Sequence, residues 1–281
     1  MAAPSVARNR PRKSLGQHYL IDGAVLGRII AAAELTHNDV VVEVGPGPGS
    51  LTRRLVQQAG RVVAVEVDRG LASTLPHRLG EPPNLTVVEA DARTVNISDL
   101  TSGPASYKMI ANLPYYAANP IIRRFLEAEH KPSLMVVMVQ REVAQSMLAA
   151  PGNMGILSVA VQYYAVPKLV CHVPARAFRP PPKVASSIVR LEVRHRPAVE
   201  VRETEAFFET VRSGFCAPRK QLRNSLGQGL HVSGDVTGPL LESLNIDGRR
   251  RAETLSLEEW ARIHGAWEEM TSVAGPGLRQ D

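Results

Sequence analysis

The chain has 281 residues, 44% of them hydrophobic and 21% charged, with 33 lysines and arginines against 27 acidic residues and a formal net charge of +6. That composition excludes a disordered or fibrous protein, and the length fits one large domain or a large one with a small companion. Cys171 and Cys216 are the only cysteines, which excludes a disulfide scaffold and a cysteine-based zinc module, while the basic excess leans towards an anionic partner such as nucleic acid.

The N-terminal segment is basic at Arg8, Arg10, Arg12 and Lys13 but runs into no apolar stretch of signal-peptide type. No apolar run approaches the roughly 18 residues of a membrane helix. A reducing, cytoplasmic setting is expected. Strands are predicted at Val40–Val44, Arg61–Val67, Leu85–Ala90, Tyr107–Ala111 and Leu134–Val139. Each is apolar or β-branched almost throughout, as strands covered on both faces are. Helices are predicted at Ser50–Ala59, Arg69–Leu79, Pro120–Glu129 and Arg141–Leu148. This alternation implies right-handed βαβ units and an open, mainly parallel sheet. Pro167–Val173 and Val184–Val193 flank Pro180, Pro181 and Pro182 and are expected as an antiparallel pair closing the sheet edge. Beyond them the segments Glu203–Phe215, Arg219–Leu226, Val236–Leu244 and Ser256–Met270 read as helices, the last opened by a capping box of Ser256 and Glu259. The expected division is a sheet domain over residues 1–197, with a basic tail at 1–14, and a helical domain over 198–281.

The chemistry is concentrated at the strand ends. The first strand runs into Gly45, Gly47 and Gly49 behind Glu43. Open α/β sheets bind ligands at the carboxyl ends of their strands, and glycines there let the backbone approach a ligand closely. The spacing is G-x-G-x-G, not the dinucleotide G-x-G-x-x-G, because Ser50 stands where that pattern needs glycine. Glu66 ends the second strand, where a carboxylate accepts both hydroxyls of a ribose. Asp91 ends the third, in reach of an adenine amino group, and Asn112 ends the fourth. Solvated strand tips are the plain alternative for any one of them; four on one rim point to a nucleoside-type ligand.

This pattern, completed by Asn112-Leu113-Pro114-Tyr115, resembles the Rossmann-like class I S-adenosylmethionine-dependent methyltransferases, and the last motif narrows it to enzymes that methylate the exocyclic amine of adenine. Three further segments resemble the small-subunit (16S) rRNA adenine dimethyltransferases, the KsgA/RsmA family: Lys13–Leu20, Phe178–Val184 and Arg219–Leu226. The match spans roughly residues 13 to 265 with order intact. It implies a methyltransferase sheet followed by a small all-helical domain, S-adenosyl-L-methionine as cofactor and no metal. It also implies cofactor contacts from His18, Leu20, Gly45, Gly47, Glu66, Asp91 and Asn112. The family usually has Asn then Phe where this chain has His18 and Tyr19; histidine offers the methionine end of the cofactor a donor or an acceptor, one group fewer than asparagine. Capping or packing is the alternative for His18.

The amino nitrogen of adenine is a poor nucleophile because its lone pair is delocalised into the ring. A side-chain carbonyl from Asn112 and the Leu113 backbone carbonyl accept its two hydrogens, which turns the lone pair towards the sulfonium methyl. Pro114 holds Leu113 extended. Tyr115 offers a face to the target base, and Phe178 is expected to close the other side. No general base is needed, since the nitrogen becomes acidic once alkylated, and catalysis is chiefly positioning.

RNA contacts are expected from Arg219, Lys220 and Arg223, with Arg212 nearby; the N-terminal basic tail and the Arg249–Arg251 run are the other basic clusters, and a solvated helix face explains the Arg249–Arg251 run equally well. The resemblance implies two adjacent adenines in a hairpin loop near the 3′ end of small-subunit rRNA as substrate, within an assembling 30S particle, and an enzyme acting as a monomer. An Erm-type large-subunit rRNA methyltransferase and a non-catalytic RNA-binding assembly factor are the alternatives.

Overall fold

The computed structural model describes residues 18–101 and 106–274. The basic tail and the first part of the Lys13–Leu20 motif lie outside the described residues. Two compact units are present: the described residues up to Ala144 with Pro167–Val193, and Gln145–Val166 with the described residues from Arg194 on. Residues 145–166, expected in the sheet domain, therefore group with the helices.

The first unit carries strands β1 (Tyr19–Leu20), β2 (Val40–Val44), β3 (Arg61–Glu66), β4 (Leu85–Glu89), β5 (Tyr107–Asn112), β6 (Leu134–Gln140), β7 (Ala165–Val173), β8 (Phe178–Arg179) and β9 (Ser186–Val193). Its helices are α1 (Gly23–Ala33), α2 (Thr52–Leu55), α3 (Arg69–Leu79), α4 (Ile97–Thr101) and α5 (Ala118–Glu127), while α6 (Arg141–Leu148) begins in it and its residues from Gln145 on belong to the second. Seven strands form one sheet in the order β4-β3-β2-β5-β6-β9-β7, and β1 pairs with β8 separately. Strands β2 to β6 are mutually parallel, and β9 runs antiparallel to β6 from Leu134↔Glu192 to Gln140↔Ser186. Central strands such as Val41–Val42 and Met135–Val139 are fully buried, because helices cover both faces. Edge strand β4 is only half-buried.

Local chemistry sets the helix starts. Asp22 caps α1 by accepting from the N–H groups of Ala24 and Val25, and Asp68 caps α3 through Gly70 and Leu71. The C-terminal carbonyls of α1 are held in turn: Lys108 donates to the Ala33 and Glu34 oxygens at 3.2 and 2.8 Å while pairing with Asp39 at 3.1 Å. The helix expected at Ser50–Ala59 shrinks to α2, with turns on either side. Three helices escaped the sequence reading, α1, the five-residue α4 and, in the second unit, α7 (Ile156–Tyr164). α7 is rich in valine and tyrosine, whose intrinsic helix preference is low, so packing decides it; α1 has four alanines and was legible by composition, though two glycines interrupt it.

The second unit is built from α7, α8 (Thr204–Phe215), α9 (Leu222–Leu230), α10 (Gly234–Ser243) and α11 (Leu257–Ala274). Its core is aromatic: Tyr163 stacks on Phe207 at 5.3 Å, Phe208 closes on both, and Trp260 is fully buried. The expected capping box forms, with Ser256 N–H donating to Glu259 at 2.9 Å and Glu259 N–H donating to the Ser256 hydroxyl at 3.2 Å. The helix expected at Arg219–Leu226 begins three residues later, because residues 217–220 bend and turn after Pro218 and Gln221 is the extended cap.

Candidate active site

Strand β2 has β3 on one side and β5 on the other, so the chain reverses direction across the sheet between β2 and β5. At that switch point the carboxyl ends of both strands open a crevice. A cavity of about 1080 Å³, counted out to its open mouth, lies there. It is lined by the glycine loop after β2, by Glu66, Asp91 and the Asn112–Tyr115 stretch, and by His18, Leu20 and Phe178. The rim expected from the strand ends is therefore one site, and the short β1–β8 pair belongs to its wall.

The loop is shaped for close approach. Gly45 and Gly47 have φ of +70° and +56°, and a side chain on Gly47 would meet the Tyr19 ring at 3.2 Å. The Gly47 N–H donates to Glu66 Oε2 at 3.1 Å, and the Asp68 N–H donates to Glu66 Oε1 at 2.9 Å. Burial pushes the Glu66 carboxyl up in pKa, and those two backbone donors pull it back. Each carboxylate oxygen keeps a lone pair for a ligand hydroxyl.

Glu43, inside the first strand, is a site residue that sequence reading passed over. It is 1% exposed and lines the cavity. Burial raises its pKa to about 8; the Thr52 hydroxyl beside it opposes the shift, yet Glu43 Oε2 and Thr52 Oγ1 have no hydrogen-bond partner among the described residues. A carboxylate in a strand otherwise made of valine was the available signal.

Asp91 is engaged. The Arg93 guanidinium and backbone N–H grip its carboxylate at 2.6 to 3.0 Å and hold its pKa below the usual range. An incoming amino group therefore shares Asp91 with Arg93. Asn112, half-buried, donates from Nδ2 to the His18 carbonyl at 3.3 Å, which leaves Oδ1 as its accepting end. The Leu113 N–H donates to Met138, and no described residue donates to the Leu113 carbonyl.

His18 Nδ1 lies 2.8 Å from the Pro180 carbonyl, which can only accept. Nδ1 therefore carries the proton, and in the neutral ring Nε2 is left as an acceptor. The Tyr115 ring stacks on His18 at 5.7 Å and its hydroxyl bonds Ser186 at 2.7 Å. Part of the Tyr115 face is thus already covered. Phe178 is 3% exposed and pairs with Leu20 across β1 and β8, so in this structure its ring is wall rather than open face.

The donor set fits S-adenosylmethionine: a two-oxygen acceptor for ribose at Glu66, an acidic group at Asp91 and a buried carboxyl at Glu43 whose Oε2 has no described partner, around a glycine cradle. A family model for ribosomal RNA adenine dimethylase matches residues 8–267. The chain belongs to that family. Ribosomal RNA small subunit methyltransferase A of Dehalococcoides mccartyi strain 195 is 45% identical over 254 residues, covering 90% of this chain and 87% of the relative. Its namesake in Pelotomaculum thermopropionicum is 45% identical over 282 residues, covering 94% and 96%. A dimethyladenosine transferase from Plasmodium falciparum superposes with a TM-score of 0.77 at 25% identity over 90% of this chain and 98% of the other, and the 23S rRNA methyltransferase ErmE with 0.70 at 28% over 89% and 99%. The sheet of this dimethylase-family chain is thus the Rossmann-like methyltransferase sheet, followed by helices. Among the described residues no helix is long and apolar enough to cross a membrane.

The second unit holds the residues expected to contact RNA. Arg219 and Lys220 stand exposed on the turn before α9, and Arg223 is exposed in its first turn. Lys220 donates to Gln228 at 3.0 Å. None of the three forms an ion pair with a described residue. The Arg249–Arg251 run differs: its members pair with Asp247, Glu259 and Glu253. That run is largely neutralised where it stands.

Proposed function

We propose that this chain transfers methyl groups from S-adenosylmethionine to the N6 amines of two adjacent adenines in a 3′-terminal hairpin loop of small-subunit rRNA, giving N6,N6-dimethyladenosine. The observation that carries the reading is the Asn112 amide, tethered by its nitrogen so that its oxygen is the accepting end beside the unclaimed Leu113 carbonyl. S-adenosylmethionine supplies the electrophilic methyl group. Glu66 and the glycine loop hold the ribose end, Asp91 the base, and His18, the Leu20 backbone and Glu43 the amino-acid end. Asn112 Oδ1 and the Leu113 carbonyl take the two amine hydrogens, which localises the nitrogen lone pair and aims it. Leu113, fully buried, and Pro114 fix that pair of acceptors on the end of a buried strand. Tyr115 supports the base. The cavity lining contains no group required to act as general base, since the alkylated nitrogen loses its proton to water.

The relatives named for small-subunit methylation share 45% identity, whereas ErmE shares 28%, which favours the small-subunit substrate over the large-subunit one. The complete rim argues against a non-catalytic assembly factor. We place the reaction in the cytoplasm, on an assembling 30S particle, with Arg219, Lys220 and Arg223 meeting RNA phosphates and a single chain sufficing. Incubating the protein and labelled cofactor with naked small-subunit rRNA, large-subunit rRNA and immature small subunits, then mapping modified nucleosides by mass spectrometry, tests this directly. Label confined to large-subunit rRNA would move the chain to the Erm-type reading; cofactor binding without transfer would support the assembly factor.

A further inference from the structure

The mouth of the cavity carries an aromatic ring that the chemistry above leaves unused. Pro114 to Ala117 form a turn closed by the Ala117 N–H donating to the Pro114 carbonyl at 3.0 Å. Its two central residues are tyrosines in different surroundings. Tyr115 is half-buried against His18 and Ser186. Tyr116 is 55% exposed, lines the same cavity and makes no hydrogen bond to a described residue. The other large exposed apolar side chains among the described residues, such as Val67 and Leu169, are all aliphatic. An exposed ring contributes little to the core, and here it stands at the entrance to a pocket built for a base.

Arg93 lines the same mouth as Tyr116. Arg93 spends Nε and one terminal nitrogen on Asp91 and keeps Nη1 without a described partner. It also lines a neighbouring groove with Pro120, Arg123 and Arg124 of α5. Arg123 is paired with Glu127, so the groove is not uniformly basic. A ring and a guanidinium on one lip match the needs of single-stranded RNA: a base stacks on the ring and the adjoining phosphate meets the cation.

We infer that Tyr116, with Arg93 at the same mouth, is the landing platform for the nucleotide next to the adenine held in the pocket. This rests on the methyltransferase reading above and adds a positioning residue outside the Asn112–Tyr115 motif. It gives a physical reason for working on neighbouring bases: while one adenine is inserted, an adjacent base has a stacking surface of its own.

The test measures methyl transfer by the full chain to immature small subunits whose 3′ hairpin is intact or lacks the base on either side of the methylated adenine. With the native protein, removing the base on one side raises KM for RNA about 10-fold. Tyr116→Ala raises KM for intact RNA by a similar factor, and removing that base then costs nothing further. Tyr116→Phe restores the native pattern, and cofactor affinity by calorimetry stays native in both variants. The platform is overturned if Tyr116→Ala leaves KM unchanged, if base removal still carries its full cost in that variant, or if the variant loses cofactor affinity instead. No transfer by the native protein to intact immature subunits or to naked small-subunit rRNA would sink the methyltransferase reading itself, and the platform with it.

Discussion

The Asn112 side chain and the His18 backbone, 94 residues apart in sequence, meet through a 3.3 Å hydrogen bond in which the amide nitrogen donates to the carbonyl. That single interaction decides which end of the amide is presented to a ligand, because an amide whose nitrogen is committed offers its oxygen.

Replacing Asn112 by alanine removes that acceptor without touching the glycine loop or Glu66. Transfer to small-subunit RNA is expected to fall by at least about 100-fold in kcat, the scale of deleting one positioned polar group from a transition state. Melting temperature should stay close to native, and cofactor affinity should fall by far less than transfer. Near-native kcat in this variant would remove Asn112 from the mechanism.

Glu66 accepts from two backbone N–H groups through both its oxygens. Glu66→Gln puts an amide NH2 against one of those donors and halves the acceptors left for ribose hydroxyls. Cofactor affinity is expected to drop roughly 10- to 100-fold, in line with about 1.5–3 kcal/mol for hydrogen bonds to a charged group. Titration calorimetry reads this directly, and an unchanged Kd would show that the ribose is held elsewhere.

Burial raises the Glu43 pKa to about 8. Between the ordinary carboxylate range and that value the folded chain keeps a proton at Glu43 that the unfolded chain has lost. The folded state therefore binds more protons, and Glu43 makes stability fall as pH rises through that window. Above pH 8 the accumulated cost is on the order of a few kcal/mol. Glu43→Gln has no such titration, so its melting temperature relative to the native chain should climb from pH 5 to pH 8. Parallel melting curves across that range would show that Glu43 is already ionised in the folded state.

The basic clusters of the helical unit should behave differently. Arg219, Lys220 and Arg223 have no ion-pair partner among the described residues, whereas Arg249 is paired with Asp247. Changing the first three to alanine is expected to weaken RNA binding at every sequence and to flatten its salt dependence, by roughly 0.7 to 0.9 in log–log slope for each phosphate that is no longer neutralised. Arg249→Ala should shift the slope by much less. Filter binding across a salt series separates the two, and equal slopes for both variants would count against the α9 face.

The sequence by itself read seven of the nine strands and the candidate rim; the two-residue β1 and β8 were not legible. Val40–Val44 and Arg61–Glu66 stand out because strands covered on both faces are apolar almost throughout, and the polar residues at the ends of such runs, Glu66, Asp91 and Asn112, marked the tips. Helices α4 and α7 were not legible, since their residues carry weak local preference and form because a neighbouring surface is there to cover. Only the tertiary structure decided that β2 lies between β3 and β5, which gathers the four tips around one crevice. It alone placed Arg93 on Asp91, buried Glu43 and Phe178, set His18 against Tyr115, and matched Arg249, Arg250 and Arg251 with carboxylates. Periodicity reports which face of a segment avoids water. It carries no information on which distant charge or carbonyl will stand opposite, and that pairing sets both the protonation of a buried acid and the direction an amide points.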